Sequence, residues 1–228
     1  MNMHAGILGG GTRCLSKRHN RAMNTDRVRL DTEIAAAAAR CIVEEGLEYA
    51  AAKRRAVQQL GLPSRTALPD NATVDVAVRE HIALFCADTQ ALELQALREL
   101  ALLWMQRLSS FRPHLGGAVW HGTATRHSDV YLHLFCDDPK SAELALLDHR
   151  VDYHPGSLQD WRGETVQALT LRSRCQPLGQ WVLVHLLIHD LDDLRGALKP
   201  DPQGRKPRGD TEAVRRLLMI APLTENTP

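Results

Sequence analysis

Two periods divide this chain. From about Asp31 to position 112 the apolar residues return every three or four positions, the spacing of a helix face. Beyond Pro113 they alternate singly, the spacing of strands. In the first half, Asp31 or Thr32 stands as a cap ahead of residues 34–43, which are rich in helix formers. Gly46 then interrupts, either as a helix end with a second helix over 47–60 or as a tolerated internal glycine. Gly61-Leu-Pro63 closes the segment in the usual stop order. After the turn Pro69–Thr73, Val74, Val78, Ile82 and Phe85 form one stripe of a helix reaching about Ala87. Leu92, Leu97, Leu100, Leu103, Trp104 and Leu108 mark a helix over 89–109, and so short a link pairs the two as a hairpin.

In the second half, residues 118–120 read as a short strand, and Val130, Leu132 and Leu134 alternate with Tyr131, His133 and Phe135 in another. Pro139 sits where a first helical turn tolerates it, ahead of a helix over 141–148. Residues 151–153 read as a third short strand. Residues 165–174 and 180–188 form a hairpin about the turn Gln176-Pro-Leu-Gly179. One or two helical turns over 191–198, a polar loop over 201–209 and a helix over 210–219 capped by Asp210 or Thr211 complete the pattern. The predicted fold class is α+β: a helical N-terminal half packed on a small mixed-sheet domain. The predicted boundaries are a flexible basic tail at 1–24, a helical domain at 25–112, an α/β domain at 113–220 and a tail at 221–228.

Composition narrows the function classes. With 28 basic and 27 acidic residues, the whole-molecule field gives no general pull toward nucleic acid or membrane, so any such contact is local. Five scattered cysteines without a Cys-x-x-Cys pair read as reduced thiols of a cytoplasmic protein. No apolar run approaches the roughly 20 residues that span a bilayer, so a soluble protein without a membrane partner is expected. Before Asp26 the chain carries Arg13, Lys17, Arg18 and Arg21 and no acidic residue, and Met23 is an alternative start. Lys53-Arg54-Arg55 reads as a solvated helix side or a phosphate-contacting face, and Arg205-Lys-Pro-Arg208 as a solvated loop or a phosphate seat before a helix. Asp190, Asp192 and Asp193 read as helix-capping residues or as part of a metal site. No Walker loop, nucleophile elbow or His-Glu-x-x-His occurs.

The stretch Gly122-Thr-Ala-Thr-Arg-His-Ser-Asp129-Val-Tyr-Leu resembles the nucleotidyltransferase signature of the DNA polymerase β superfamily over roughly residues 113–195. In that signature a strand ends in Gly-Ser or Gly-Thr and the next strand carries two carboxylates two residues apart. The helical first half, with its Leu-Pro-Asp-Asn turn and Phe-Arg-Pro-His lead-in, resembles a proteobacterial family sharing this core. The resemblance implies a nucleotidyltransferase-like α/β domain, with a nucleotide or RNA as partner. Small turn residues bring backbone N–H groups close to a triphosphate, and carboxylates on one strand face share divalent metals that stabilise attacking and leaving oxygens.

Carried onto this chain, the resemblance makes Asp129 the catalytic and metal-binding carboxylate and Mg²⁺ the ion. It makes Gly122, Thr123, Arg126 and Ser128 the nucleotide-binding residues. The second carboxylate position holds Tyr131, and the later strand offers His185 where a third would be sought, which departs from a two-metal cluster. Three readings stay open. The constellation is a plain β-hairpin with Asp129 as a turn cap. Alternatively, it is a nucleotide- or RNA-binding protein with a degenerate active site, or a non-catalytic regulatory or protein-interaction module on that fold. Finally, it is a working nucleotidyltransferase with an altered metal site drawn from Asp129, His127, His133 or His185. Acidic company for Asp129 from Asp137, Asp138, Asp190 or Asp192 discriminates among them.

Overall fold

The computed structural model describes residues 12–160, 162–200 and 204–220, with side chains from position 26 onward. The chain forms two compact units. One consists of the residues through Ile42 together with Leu47–His81, and the other of Val43–Gly46 together with the residues from Ile82 onward.

The first unit is helical. Helix α1 spans Thr12–Glu45, α2 Tyr49–Gln59 and α3 Asn71–Phe85, the last reaching into the second unit. The buried positions Ile34, Ala35, Ala38, Ala39 and Ile42 of α1 recur at helical spacing, and Ala52, Ala56 and Val57 of α2 with Val74 and Val78 of α3 supply further apolar surface. Gly46, at φ 69°, ends α1 in the left-handed conformation that favours glycine, and a Cβ there would collide with the His127 carbonyl. The Asp70 carboxylate caps α3 by accepting from the Thr73 N–H at 2.7 Å. Lys53 is engaged structurally, donating to Pro69 O at 3.1 Å and Asn71 Oδ1 at 2.8 Å. Helix α1 starts inside the segment expected to be a tail. Positions 12–45 hold neither glycine nor proline, so nothing stops the helix from running back through 12–24. The rest of that expected tail, residues 1–11, and the one from 221 lie outside the described residues.

The second unit is built on a sheet of β1 (His114–Gly116), β2 (Val130–Phe135), β3 (Tyr153–Gln159), β4 (Thr165–Cys175) and β5 (Gln180–His189). Its order is β1-β2-β5-β4-β3, with β2 and β5 parallel and the other neighbours antiparallel. Helices α4 (Gln90–Arg107), α5 (Gly117–His121), α6 (Pro139–Asp148), α7 (Leu194–Ala197) and α8 (Thr211–Ile220) complete it. The mixed α+β class is therefore as expected from the change of period.

Strand parity divides the sheet into two faces. On the inner face, Val130, Leu132 and Leu134 of β2, Val184, Leu186 and Ile188 of β5, and Leu169 and Leu171 of β4 join one buried cluster. Leu97, Leu100 and Trp104 of α4, Leu146 of α6 and Val214 of α8 belong to the same cluster. The Trp104 indole donates to Ser173 Oγ at 2.9 Å, satisfying the one polar atom that its burial brings in. Because α4 covers this face, the sheet unit begins near Ile82, ahead of the change of period at Pro113.

Two strand expectations are corrected. Residues 118–120 are helical, within α5, and the strand ahead of them is His114–Gly116. The chain leaves that strand through Gly117 at φ 65° and immediately makes one helical turn, so the apolar trio Ala118-Val-Trp120 reads ambiguously from sequence. The third strand is longer than 151–153 and contains Pro155 and Gly156, which an edge position accepts because one side of it has no ladder to break. Among the described residues, no helix is long and apolar enough to cross a membrane, and the four cysteines at 41, 86, 136 and 175 are free thiols.

Candidate functional site

The outer face of the sheet is polar where the inner face is apolar. Asp129 stands immediately before β2, and Tyr131, His133 and Phe135 follow on the outer face at alternate positions. Across the parallel ladder Tyr131 pairs with His185, and across the next ladder His185 pairs with Thr170. This register draws three side chains into a hydrogen-bonded line over three neighbouring strands. Asp129 Oδ2 lies 3.2 Å from His185 Nε2, and Thr170 Oγ1 lies 2.9 Å from His185 Nδ1. With a carboxylate facing Nε2, a neutral imidazole carries its proton there and accepts from the Thr170 hydroxyl at Nδ1. Asp129 and Thr170 thus fix the tautomer and plane of His185, and Tyr131 stacks on it with ring centroids 4.7 Å apart. The His185 side chain is 12% exposed and that of Asp129 34%, so both meet solvent.

The strand-end turn Gly116–Gly117 lies over the same face. A Cβ on Gly117 would sit 3.4 Å from the Tyr131 ring, and one on Gly116 would sit 3.0 Å from His133 Nε2. Glycine is what allows the backbone to approach these rings so closely.

The residues expected to form a cradle make other contacts. Gly122 is the residue that ends α5, at φ 81°, and the Thr123 N–H already donates to Ala118 O at 3.0 Å. Thr123 is buried, and the Gly122 and Ala124 carbonyls accept from Gln90 of α4 at 3.1 and 2.9 Å. The Gly122–Thr123 pair therefore serves a helix C-cap turned toward α4, because the strand expected ahead of it is a helix. Ser128 closes a local turn, its Oγ accepting from the Thr125 N–H at 3.0 Å. The Thr125 hydroxyl donates to Val43 O at 3.0 Å. Arg126 is exposed; its N–H donates to Glu93 Oε2 at 2.9 Å and its guanidinium reaches Gln180 Oε1 at 3.5 Å.

The acidic residues named as company for Asp129 work at other places. Asp137 and Asp138 follow the far end of β2, six strand residues and about 20 Å away. Asp138 caps α6 by accepting from the Lys140 N–H at 3.0 Å, and Asp190 caps the turn after β5 by accepting from the Asp192 N–H at 2.9 Å. Asp193 holds Arg162 at 2.6 Å. Around Asp129 the donor set is one carboxylate, a phenol and an imidazole. Among the described residues no group of three or more His, Cys, Asp or Glu is arranged to hold a metal. Hard Mg²⁺ pairs in phosphoryl transfer need bridging carboxylates, so this donor set does not fit a two-metal centre.

The other end of the outer face is closed. His133 Nδ1 lies 2.9 Å from His189 Nε2, with the rings stacked at 5.1 Å, and Phe135 stacks on His189 at 5.2 Å. The His114 Nδ1–H donates to Arg112 O at 2.8 Å, and its ring meets Phe135 edge-on. The segment after position 204 covers these rings. Gly209 pairs with Leu115 through two backbone hydrogen bonds of 2.8 and 3.0 Å, the Trp120 indole donates to Lys206 O at 2.8 Å, and Arg208 is buried with a hydrogen bond to Ala197 O. Of the two readings of Arg205-Lys-Pro-Arg208, neither the solvated loop nor the phosphate seat describes Arg208.

Burial pushes His133 well below the ordinary histidine range, with Arg208 adding repulsion, and takes His189 down to about 4 against weaker opposing effects from Asp160 and Asp193. Burial also lowers His114, and Arg208 to about 10. His133, one of the expected metal ligands, is engaged at Nδ1 by His189, and the buried Arg208 cation beside it disfavours a second cation there.

Three features escaped the sequence reading. Thr170 lies 41 positions after Asp129, at the other end of the line it completes, and only strand register joins them. Gly116–Gly117 was legible as a glycine pair before an apolar helical turn. Trp181, more than half exposed between Arg172 and Arg174, was hidden in an apolar run whose parity alone shows that it points outward.

No family model matches this chain, and no curated protein matches it. Among solved structures, the Cid1 poly(U) polymerase with MgGTP bound is similar at 15% identity, with a TM-score of 0.34. The similarity covers 49% of this chain and 38% of the polymerase chain.

Proposed function

We propose that this chain is a nucleotidyltransferase-like protein that binds a nucleotide, or a nucleotide unit of RNA, on the open end of the outer sheet face and does not carry out two-metal phosphoryl transfer. The observation that carries this reading is the line Asp129–His185–Thr170 across three strands, stacked on Tyr131 and open to solvent. The Tyr131 and His185 rings offer a flat surface to a base, and the partly exposed Asp129 carboxylate accepts from ribose hydroxyls or base amino groups. The Gly116–Gly117 turn and Arg126 supply close backbone approach and a cation for the phosphates. Glycine-turn contacts thus pass from Gly122–Thr123 to Gly116–Gly117, while Asp129 and Arg126 keep binding roles and Ser128 shapes the turn between them.

Calorimetry with the four ribonucleoside triphosphates tests this, in Mg²⁺ and again in EDTA. Binding is expected to survive chelation and to weaken about tenfold, or 1.4 kcal/mol, in Asp129→Asn and in Tyr131→Ala. Folded variants with wild-type affinity, or a wild-type protein that binds no nucleotide, would remove the reading. In that event the non-catalytic interaction module stands, favoured by Leu84, Phe85 and Leu92, exposed at 76, 72 and 61% around the α3–α4 turn.

A further inference from the structure

We propose that the outer rows of β4 and β5 form a track for single-stranded nucleic acid that leads from Trp181 to the Asp129 end. The track rests on the reading of that end as a nucleotide site. In the antiparallel ladder Arg174 pairs with Trp181, Arg172 with Leu183 and Thr170 with His185. Alternate residues share a face, so Trp181, Leu183 and His185 make one outward row beside a second of Arg174, Arg172 and Thr170.

Trp181 is 55% exposed and Leu183 37%. The guanidinium carbons of Arg172 and Arg174 lie 5.4 and 6.0 Å from the Trp181 ring centroid, so two cations hold an indole that no core holds. Four residues along β5, about 13 Å at strand rise, the next outward ring is His185, stacked on Tyr131. The surface therefore offers an exposed indole held by two arginines at one end and, at the other, the Tyr131–His185 stack with the Asp129 carboxylate.

This combination selects its ligand. Arginines neutralise phosphates, while an exposed ring stacks on any base and gains nothing from a simple anion. A base reaches such a ring only when it is free of a duplex, which is why the strand is single. An acidic peptide would satisfy the arginines and leave Trp181 without a partner.

Fluorescence anisotropy on the full chain tests the track with labelled oligouridylate and oligodeoxythymidylate of about 15 nucleotides. Trp181→Ala and the double variant Arg172→Ala/Arg174→Ala are compared with wild type, circular dichroism checks folding, and UTP affinity is measured on each. Trp181→Ala is expected to weaken oligonucleotide binding about tenfold. The double variant is expected to reduce the slope of log affinity against log salt by about 1.4, or 0.7 per lost phosphate contact. Both should leave UTP affinity unchanged. A preference between the two oligonucleotides separates RNA from DNA as the natural strand. Unchanged oligonucleotide affinity in the folded variants, or displacement of the oligonucleotide by polyglutamate as efficiently as by unlabelled strand, overturns the track. Wild type that binds UTP but no oligonucleotide loses the track and keeps the nucleotide site; wild type that binds oligonucleotide with the expected losses but no UTP loses only the nucleotide site.

Discussion

His185 and the pair His133–His189 stand on one sheet face, two to four residues apart along neighbouring strands, yet they occupy different chemistries. At the closed end the imidazoles lie under the Lys206–Gly209 segment and beside a buried guanidinium, and burial holds them neutral. At the open end His185 is oriented by a carboxylate and a hydroxyl within reach of solvent. The difference teaches that a histidine on a pleated face takes its role from what covers it. Here a loop contributed from 17 to 20 residues beyond β5 divides one face into a structural half and a half open to solvent.

The largest expected effect tests the closed half. The folded-state value of His189 falls from 6.5 to about 4, so the unfolded chain binds the extra proton first on acidification. The stabilisation is complete above pH 6.5 and is lost as the pH falls toward 4, by about 3 kcal/mol for a shift of this size. Urea unfolding at stepped pH should show that loss, with a shallower slope in His189→Asn. Identical slopes in the two proteins would mean that the closed end is not closed.

Next in size, Arg208→Ala should cost about 1–3 kcal/mol, since it leaves the Ala197 carbonyl without its partner and removes a buried stem. Arg172→Ala on the open half should stay within about 0.5 kcal/mol, as surface changes usually do. Comparable losses in thermal unfolding of the two variants would erase the distinction. The smallest effect is at Asp129, where Asp129→Asn keeps the shape and a hydrogen bond to His185. Its unfolding free energy should lie within about 0.5 kcal/mol of wild type, and a loss beyond 2 kcal/mol would assign Asp129 to scaffolding.

Much of the architecture was legible from spacing alone. The buried positions Val74, Val78 and Ile82 of α3 and Leu97, Leu100 and Trp104 of α4, the alternation of β2, the β4–β5 hairpin with its turn at Gln176–Gly179 and the Pro139 start of α6 are local patterns, carried by neighbouring residues and ordinary propensities, whereas Phe85, Leu92 and Leu103, expected on the same stripes, are exposed. What failed was local as well. Ala118-Val-Trp120 is too short for its period to tell strand from helix. The glycines that end a strand are Gly116–Gly117, whereas Gly122 ends the helical turn that follows them.

The sequence by itself determined that a helical segment precedes a mixed α/β unit and that Asp129 opens an alternating strand. Each of these follows from residue type and short-range periodicity. Only the tertiary structure decided that Asp129 meets His185 and Thr170, that Arg208 is buried while Arg172 and Arg174 are exposed, and that Trp181 faces outward. Those pairings depend on strand register and on which loop covers which face. Register and coverage arise from contacts between residues tens of positions apart, where the spacing along the chain carries no information about spacing in the fold.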